Sequence, residues 1–207
     1  ELRKGRAGRL APGVCYRRYS RHTLSAMTAH TPPEILETDL SPLLLELAAW
    51  GTSDYSQLDW LDLPPEPAVA SARRLLAELD AFDDSGRITA TGREMMRLPL
   101  HPRLGRLLLR SIELGSPQIG CDLAALLSER DIFRSARGEI CRMVSHSDVA
   151  DRLEAFRSYR AGRSRDERLD RTALNNVERV VSQLLRLVKC PASAKRMTYE
   201  ALAKVKN

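Results

Sequence analysis

Aromatic residues are scarce in this chain: three Phe, two Trp and five Tyr in 207 residues. The apolar share is nevertheless 43%, carried mainly by leucine and alanine, which favours helices packed on helices. The four cysteines, Cys15, Cys121, Cys141 and Cys190, are scattered with no C-x-x-C pair. The four histidines, His22, His30, His101 and His146, are equally dispersed. Neither set spells a zinc site or a disulfide framework, and the cysteine usage fits a reducing cytoplasm. No apolar run approaches the ~18 residues of a membrane span, and no signal peptide is visible.

What the chain does have is positive charge. The formal net charge is +6 and the pI about 9.4, a balance that favours an anionic partner, nucleic acid before membrane. The charge begins at the first residues, Glu1-Leu2-Arg3-Lys4-Gly5-Arg6-Ala7-Gly8-Arg9. Arginines recur every three residues, and glycines stand directly before the last two. Glycine lets the backbone approach a phosphate, and two guanidinium forks can then meet the same oxygens. That is the chemistry of an arginine finger, which neutralises charge developing on a transferring phosphoryl group. By themselves the nine residues read first as a basic N-terminus or an RNA-binding arginine-glycine patch, and second as a finger.

The string Arg3-Lys4-Gly5-Arg6-Ala7-Gly8-Arg9 resembles the last helicase motif of the DEAH-box ATPases, Q-R-x-G-R-x-G-R. Leu2 departs from it, standing where the family has a glutamine. The resemblance implies catalytic roles for Arg6 and Arg9 as the two fingers, and nucleotide-binding roles for Arg3, Gly5 and Gly8. It also implies that the domain owning the motif lies upstream, so that the chain is a piece of a larger enzyme. Pro33-Glu34-Ile35-Leu36 and Leu98-Pro99-Leu100-His101-Pro102-Arg103-Leu104 are similar to family stretches at the exit of the second RecA-like lobe and at the start of a helical "ratchet" bundle. The connector, with Cys121 to Asp131, resembles the bacterial HrpB branch more than the eukaryotic splicing branch.

Local patterns place the elements. Val14 to Tyr19 is rich in β-formers and reads as a short strand. Ser41 with Pro42 behind it opens a helix that Gly51 ends. A second helix spans about Pro67 to Asp80, with Val69, Ala72, Leu75, Leu76 and Leu79 on one face. A turn at Asp83 to Gly86 leads to a short strand, Arg87 to Thr89. Thr91 with Glu94 reads as a capping box for a third helix. Helix, helix, turn with a strand, and helix suit a winged-helix domain, here a structural hub more than a sequence reader, because its few arginines alternate with acids. Beyond it, Pro102 and Ser116-Pro117 start helices, His101 is a helix-start residue, and Ser147-Asp148 opens another helix. Thr172 reads as the cap of the longest helix, whose Leu174, Val177, Val181, Leu184 and Val188 recur at core spacing, with Pro191 as its stop.

Arg157, Arg160, Arg163, Arg165 and Arg168, followed by Arg171, form an arginine-rich stretch interrupted by Gly162 and Ser164. It reads either as a basic rim contacting an RNA backbone or as a solvated loop.

The expected fold is mainly α: a winged-helix domain followed by a ratchet-like helical bundle, preceded by the tail of a RecA-like α/β lobe. The expected boundaries are residues 1–22 for the lobe's end, 23–40 for the connector, 41–98 for the winged helix, 99–190 for the bundle and 191–207 for the start of a truncated C-terminal region. The resemblance implies a cytoplasmic ATP-dependent RNA helicase using ATP and Mg2+, acting on single-stranded or partly duplex RNA, and partnered with its own RecA-like lobes. No G-x-x-x-x-G-K-[ST] loop and no Asp-Glu-Ala-His box occurs in the 207 residues, so this piece is expected to bind no cofactor alone and to be inactive alone. A free-standing winged-helix binding module and a non-enzymatic interaction scaffold are the competing readings.

Overall fold

The computed structural model describes residues 2–27, 31–52, 54–134, 147–164 and 166–188, with side chains from residue 5 onward. The chain divides into two compact units, Glu1–Thr38 and Asp39–Asn207.

The first unit carries two short helices, α1 (Leu2–Ala7) and α2 (Arg21–Ala26), and a single 3-10 turn at Glu34–Leu36. The expected strand at Val14–Tyr19 is not formed. Its β-formers are present, but a strand needs a neighbouring backbone to complete its hydrogen bonds, and none pairs with it among the described residues. Val14 and Tyr16 consequently stay 74% and 87% exposed. Ahead of them the chain folds back against the end of α1. A Cβ on Gly13 would fall 2.0 Å from the Ala7 carbonyl oxygen, so only glycine fits there.

The second unit holds α3 (Ser41–Ala49), a 3-10 turn at Tyr55–Gln57, α4 (Glu66–Glu78), α5 (Ala90–Met95), α6 (Pro102–Glu113), α7 (Pro117–Ser128), α8 (Asp148–Arg160) and α9 (Arg171–Leu187). In its first half, Leu40, Leu44, Leu45 and Leu47 are buried along with Val69, Ala72, Leu75, Leu76 and Met95. The wing is rudimentary. The expected Arg87–Thr89 strand is reduced to one antiparallel bridge between Phe82 and Ile88. Its turn is held by Asp83, whose Oδ1 accepts the amides of Ser85 and Arg87, each at 2.9 Å. The turn is thus closed by a side chain, which leaves a longer ladder unnecessary.

In the second half, α7 packs on both α6 and α9, and α8 packs on α7. The core joins Leu108, Ile119, Ala124 and Leu126 to Leu153 and Phe156, and to Leu174, Val177, Val181 and Leu184 of α9. Each such Val, Leu, Ile or Phe side chain withdrawn from water contributes about 1.5–3 kcal/mol before entropy is counted, and the α9 seam lies where its spacing places it. The two halves meet through Arg106 of α6, whose guanidinium bonds Asp80 at 2.7 Å. Asp80 ends α4 in the left-handed region, at φ 57°.

Three helix starts differ from expectation. For α3 the first amide is capped from one residue further out: Leu40 at the N-cap position makes no side-chain bond, and Asp39 Oδ1 accepts the Ser41 amide at 2.8 Å. For α5 it is Thr89 and not the Thr91–Glu94 box: Thr89 Oγ1 accepts from Gly92 N at 3.0 Å. For α9 it is Asp170 and not Thr172: its Oδ1 accepts from Thr172 N at 2.8 Å and Ala173 N at 3.3 Å. The last two share a cause. The Thr89 amide is bonded to the Ala81 carbonyl and the Asp170 amide to the Ile132 carbonyl, which keeps each residue extended and starts the helix one position later. Pro191, residues 192–207, His30, Cys141, His146 and Cys190 lie outside the described residues.

Candidate functional site

Two arginine groups are candidates, one in each unit. In the first, α1 carries the backbone of Arg3, Gly5 and Arg6, and Arg9 follows in the bend after it. Arg6 and Arg9 are exposed, and neither bonds a carboxylate among the described residues. A Cβ at Gly5 or Gly8 would meet nothing within 4 Å, so no neighbouring side chain crowds the two glycines. The side chain of Arg3 and the whole of Arg165 lie outside the described residues.

This arrangement can receive phosphate oxygens, because two permanently charged, exposed forks lie three residues apart. No group of three His, Cys, Asp or Glu side chains that could hold a metal ion occurs among the described residues.

In the second unit the arginine stretch does not form one rim. Arg160, at the last residue of α8, is committed inward. Its two terminal nitrogens reach the two carboxylate oxygens of Asp122 at 3.0 and 3.3 Å, and its Nε donates to Glu178 at 2.9 Å. Its guanidinium lies 4.4 Å over the Phe156 ring. Arg157 approaches Asp122 at 4.0 Å from one turn earlier. Arg168 turns back on Asp166 at 2.6 Å and lies over Phe133 at 5.6 Å. Arg163 alone of the described four is exposed with no carboxylate partner among the described residues. It sits just past Gly162, whose φ of 67° ends α8: the Gly162 amide bonds the Tyr159 carbonyl and the Arg163 amide the Ser158 carbonyl. Glycine takes that left-handed position without strain.

Asp122 was the residue that arginine counting missed. It is 1% exposed and accepts the Gln118 amide at 3.0 Å. Burial pushes its carboxyl up from the ordinary value, against the opposing pull of Arg160, Gln118 and Arg157. Burial alone would lower the Arg160 guanidinium, but Asp122 and Glu178 outweigh it and hold it above its usual value. The signal was present in the sequence: Asp122 and Gln118 lie four apart, on the apolar face of α7, where a lone charge needs a partner.

A third cluster joins Asp39, Ser41 and His101. His101 Nε2 is 3.1 Å from Asp39 Oδ2 and 3.3 Å from Ser41 Oγ, and its Nδ1 is 3.3 Å from the Arg103 amide. His101 is thus the helix-start residue expected of it. Burial alone would raise the Asp39 carboxyl, but the Ser41 amide and hydroxyl and the His101 ring hold it below its ordinary value. Carboxylate and hydroxyl share one ring nitrogen, and Ser41 is 0% exposed. A nucleophilic triad places them on opposite nitrogens with the hydroxyl accessible, so this cluster does no such chemistry.

Among the described residues no helix is long and apolar enough to cross a membrane. Residues 72–100 match the winged-helix helicase-associated domain, HA2. The chain is 32% identical over 200 residues to the Schizosaccharomyces pombe pre-mRNA-splicing factor ATP-dependent RNA helicase prp22, covering 90% of this chain and 17% of that protein. It is 39% identical over 127 residues to the Escherichia coli ATP-dependent RNA helicase HrpB, covering 61% of this chain and 16% of the relative. A crystal structure of the Escherichia coli DEAH/RHA helicase HrpB superposes with a TM-score of 0.65 at 31% identity, over 92% of this chain and 21% of that one. The chain therefore spans well under a quarter of the length of these relatives, and it resembles both the bacterial and the splicing DEAH-box helicases.

Proposed function

We propose that this chain is part of an ATP-dependent RNA helicase of the DEAH-box, HrpB-like kind, to which it contributes two arginine fingers and the winged-helix and bundle regions that hold the strand. The observation that carries the reading is the coincidence, in one chain, of exposed Arg6 and Arg9 in a glycine-spaced motif with the helicase-associated match at residues 72–100. Arg6 and Arg9 stabilise charge on the transferring phosphoryl group, and Arg3, Gly5 and Gly8 shape the backbone around the phosphates. Mg2+ accompanying the nucleotide would add neutralisation of phosphate charge beside these arginines. The 207 residues carry no phosphate-cradling loop, so on this reading they do not hydrolyse ATP alone. The boundaries at residues 22, 40, 98 and 190 and a cytoplasmic setting belong to the same reading. Of the arginine stretch, Arg163 is the first candidate for an RNA phosphate. Arg157, Arg160 and Arg168 already answer carboxylates, which leaves them weaker candidates.

The test is ATP turnover by the native-length gene product, with and without single-stranded RNA, beside Arg6→Ala and Arg9→Ala. The expected result is RNA-stimulated turnover that each substitution lowers by about two or more orders of magnitude. Turnover indifferent to both arginines removes the finger assignment. Salt-dependent RNA binding without any turnover leaves a winged-helix binding module in its place.

A further inference from the structure

One hydrogen-bonded path caps two helices at once. Asp39 Oδ1 accepts the Ser41 amide at the start of α3, at 2.8 Å. Asp39 Oδ2 meets His101 Nε2 at 3.1 Å, and His101 Nδ1 accepts the Arg103 amide at the start of α6, at 3.3 Å. A backbone amide can only donate, so Nδ1 holds a lone pair and the ring proton sits on Nε2, facing Asp39. Asp39 and His101 lie 62 residues apart in sequence, yet each caps one helix with one atom and grips the other with the next.

The chain leading to this point is bonded within itself. Pro32 and Pro33 precede a turn in which Leu36 bonds the Pro33 carbonyl, and both Glu37 and Thr38 bond the Glu34 carbonyl. Asp39 follows directly, as the first residue of the second unit.

We propose that Asp39 and His101 form a positioning latch. It ties the entry of the chain into the second unit to the first turn of α6, so that displacement of the helical bundle by bound RNA reaches the connector without slack. The latch rests on the helicase reading: its role is to carry RNA stimulation to the nucleotide site, while neither residue touches RNA or nucleotide.

Two substitutions isolate the link while keeping the caps. Asn is a good helix cap, so His101→Asn still accepts the Arg103 amide but is too short to reach Asp39. Asp39→Asn still accepts the Ser41 amide but turns an NH2 group toward the Nε2 proton. In the native-length protein each variant is expected to lower RNA stimulation of ATP turnover about tenfold, with basal turnover and RNA affinity kept within about twofold. The double variant is expected to be no worse than either single, because both remove one interaction. Undiminished stimulation overturns the latch, as does a proportional fall of basal and stimulated rates or a loss of RNA affinity, which marks a merely structural role. If the unsubstituted protein shows no RNA-stimulated turnover, the helicase reading fails by itself, and amide hydrogen exchange in this chain decides the latch. A linked pair requires His101→Asn to speed exchange at Ser41, and Asp39→Asn to speed it at Arg103, with Val177 and Val181 amides unchanged. Effects confined to each residue's own cap overturn it.

Discussion

At the scale of single residues, Asp122 sets the terms for interpreting the arginines. A carboxylate 1% exposed is answered chiefly by Arg160, with Gln118 and Arg157 beside it. Removing Arg160 leaves only those weaker partners, at a cost of up to about 3–5 kcal/mol. Arg160→Met is therefore expected to lower unfolding stability by about that amount, measured by denaturant titration, whereas Arg160→Met with Asp122→Leu recovers most of the loss. Loss of RNA affinity in an Arg160 variant thus reports the fold before it reports RNA. Asp39 makes a different prediction. Its carboxyl is held below the ordinary value, so its contribution to stability is complete above the unfolded aspartate range near pH ~4 and is lost as pH falls through the depressed folded-state value. Asp39→Asn should make the acid limb of a thermal-melting series between about pH 2 and 6 shallower, while Asp83, Asp166 and Asp170, also lowered, keep part of it.

Among elements, α6 and α7 cross closely. A Cβ on Gly120 would lie 1.7 Å from Ser111 Oγ and 2.5 Å from Ser111 Cβ, so the two helices touch through a glycine. Gly120→Ala is expected to cost about 1–3 kcal/mol by overpacking, and adding Ser111→Ala should recover only part of this, since the Cβ remains. Chemical denaturation of the single and double variants checks both numbers. How much of each element could be read from sequence depends on where its limits come from. The α9 seam was legible because Leu174, Val177, Val181 and Leu184 obey a period that local geometry enforces. The caps were not. Thr89 and Thr91, or Asp170 and Thr172, are equivalent candidates by type, and the choice is made by a bond to Ala81 or Ile132 that no local pattern reveals. Val14–Tyr19 failed for the complementary reason: its strand propensity needs a neighbour to pair with. The arginine motif at Arg3–Arg9 was legible as a string, but the inward turn of Arg160 depended on Asp122, which lies 38 residues away.

For the whole molecule, the 33 lysines and arginines overstate the cations available to an anion, since Arg106, Arg152, Arg160 and Arg168 are paired within the fold. Binding of single-stranded RNA by the native-length protein should therefore have a salt slope smaller than the arginine count suggests. Arg163→Ala should reduce that slope by about one phosphate contact without changing sequence preference. An unchanged slope removes Arg163 from the RNA path.

The pairing of Phe133 with Leu169 bears on how this unit forms in time. With the Arg134–Arg168 and Ile132–Asp170 bonds beside it, it closes a long excursion of chain that contains α8, and loop closure costs entropy before any contact compensates it. The α6–α7 hairpin draws on neighbours close in sequence and can assemble without that closure. The capping of α9 by Asp170 shares its backbone with that closure, through the Asp170–Ile132 bond. Weakening the bridge is expected to slow the last phase of refolding in stopped-flow measurements and to leave an early α6–α7 phase unchanged.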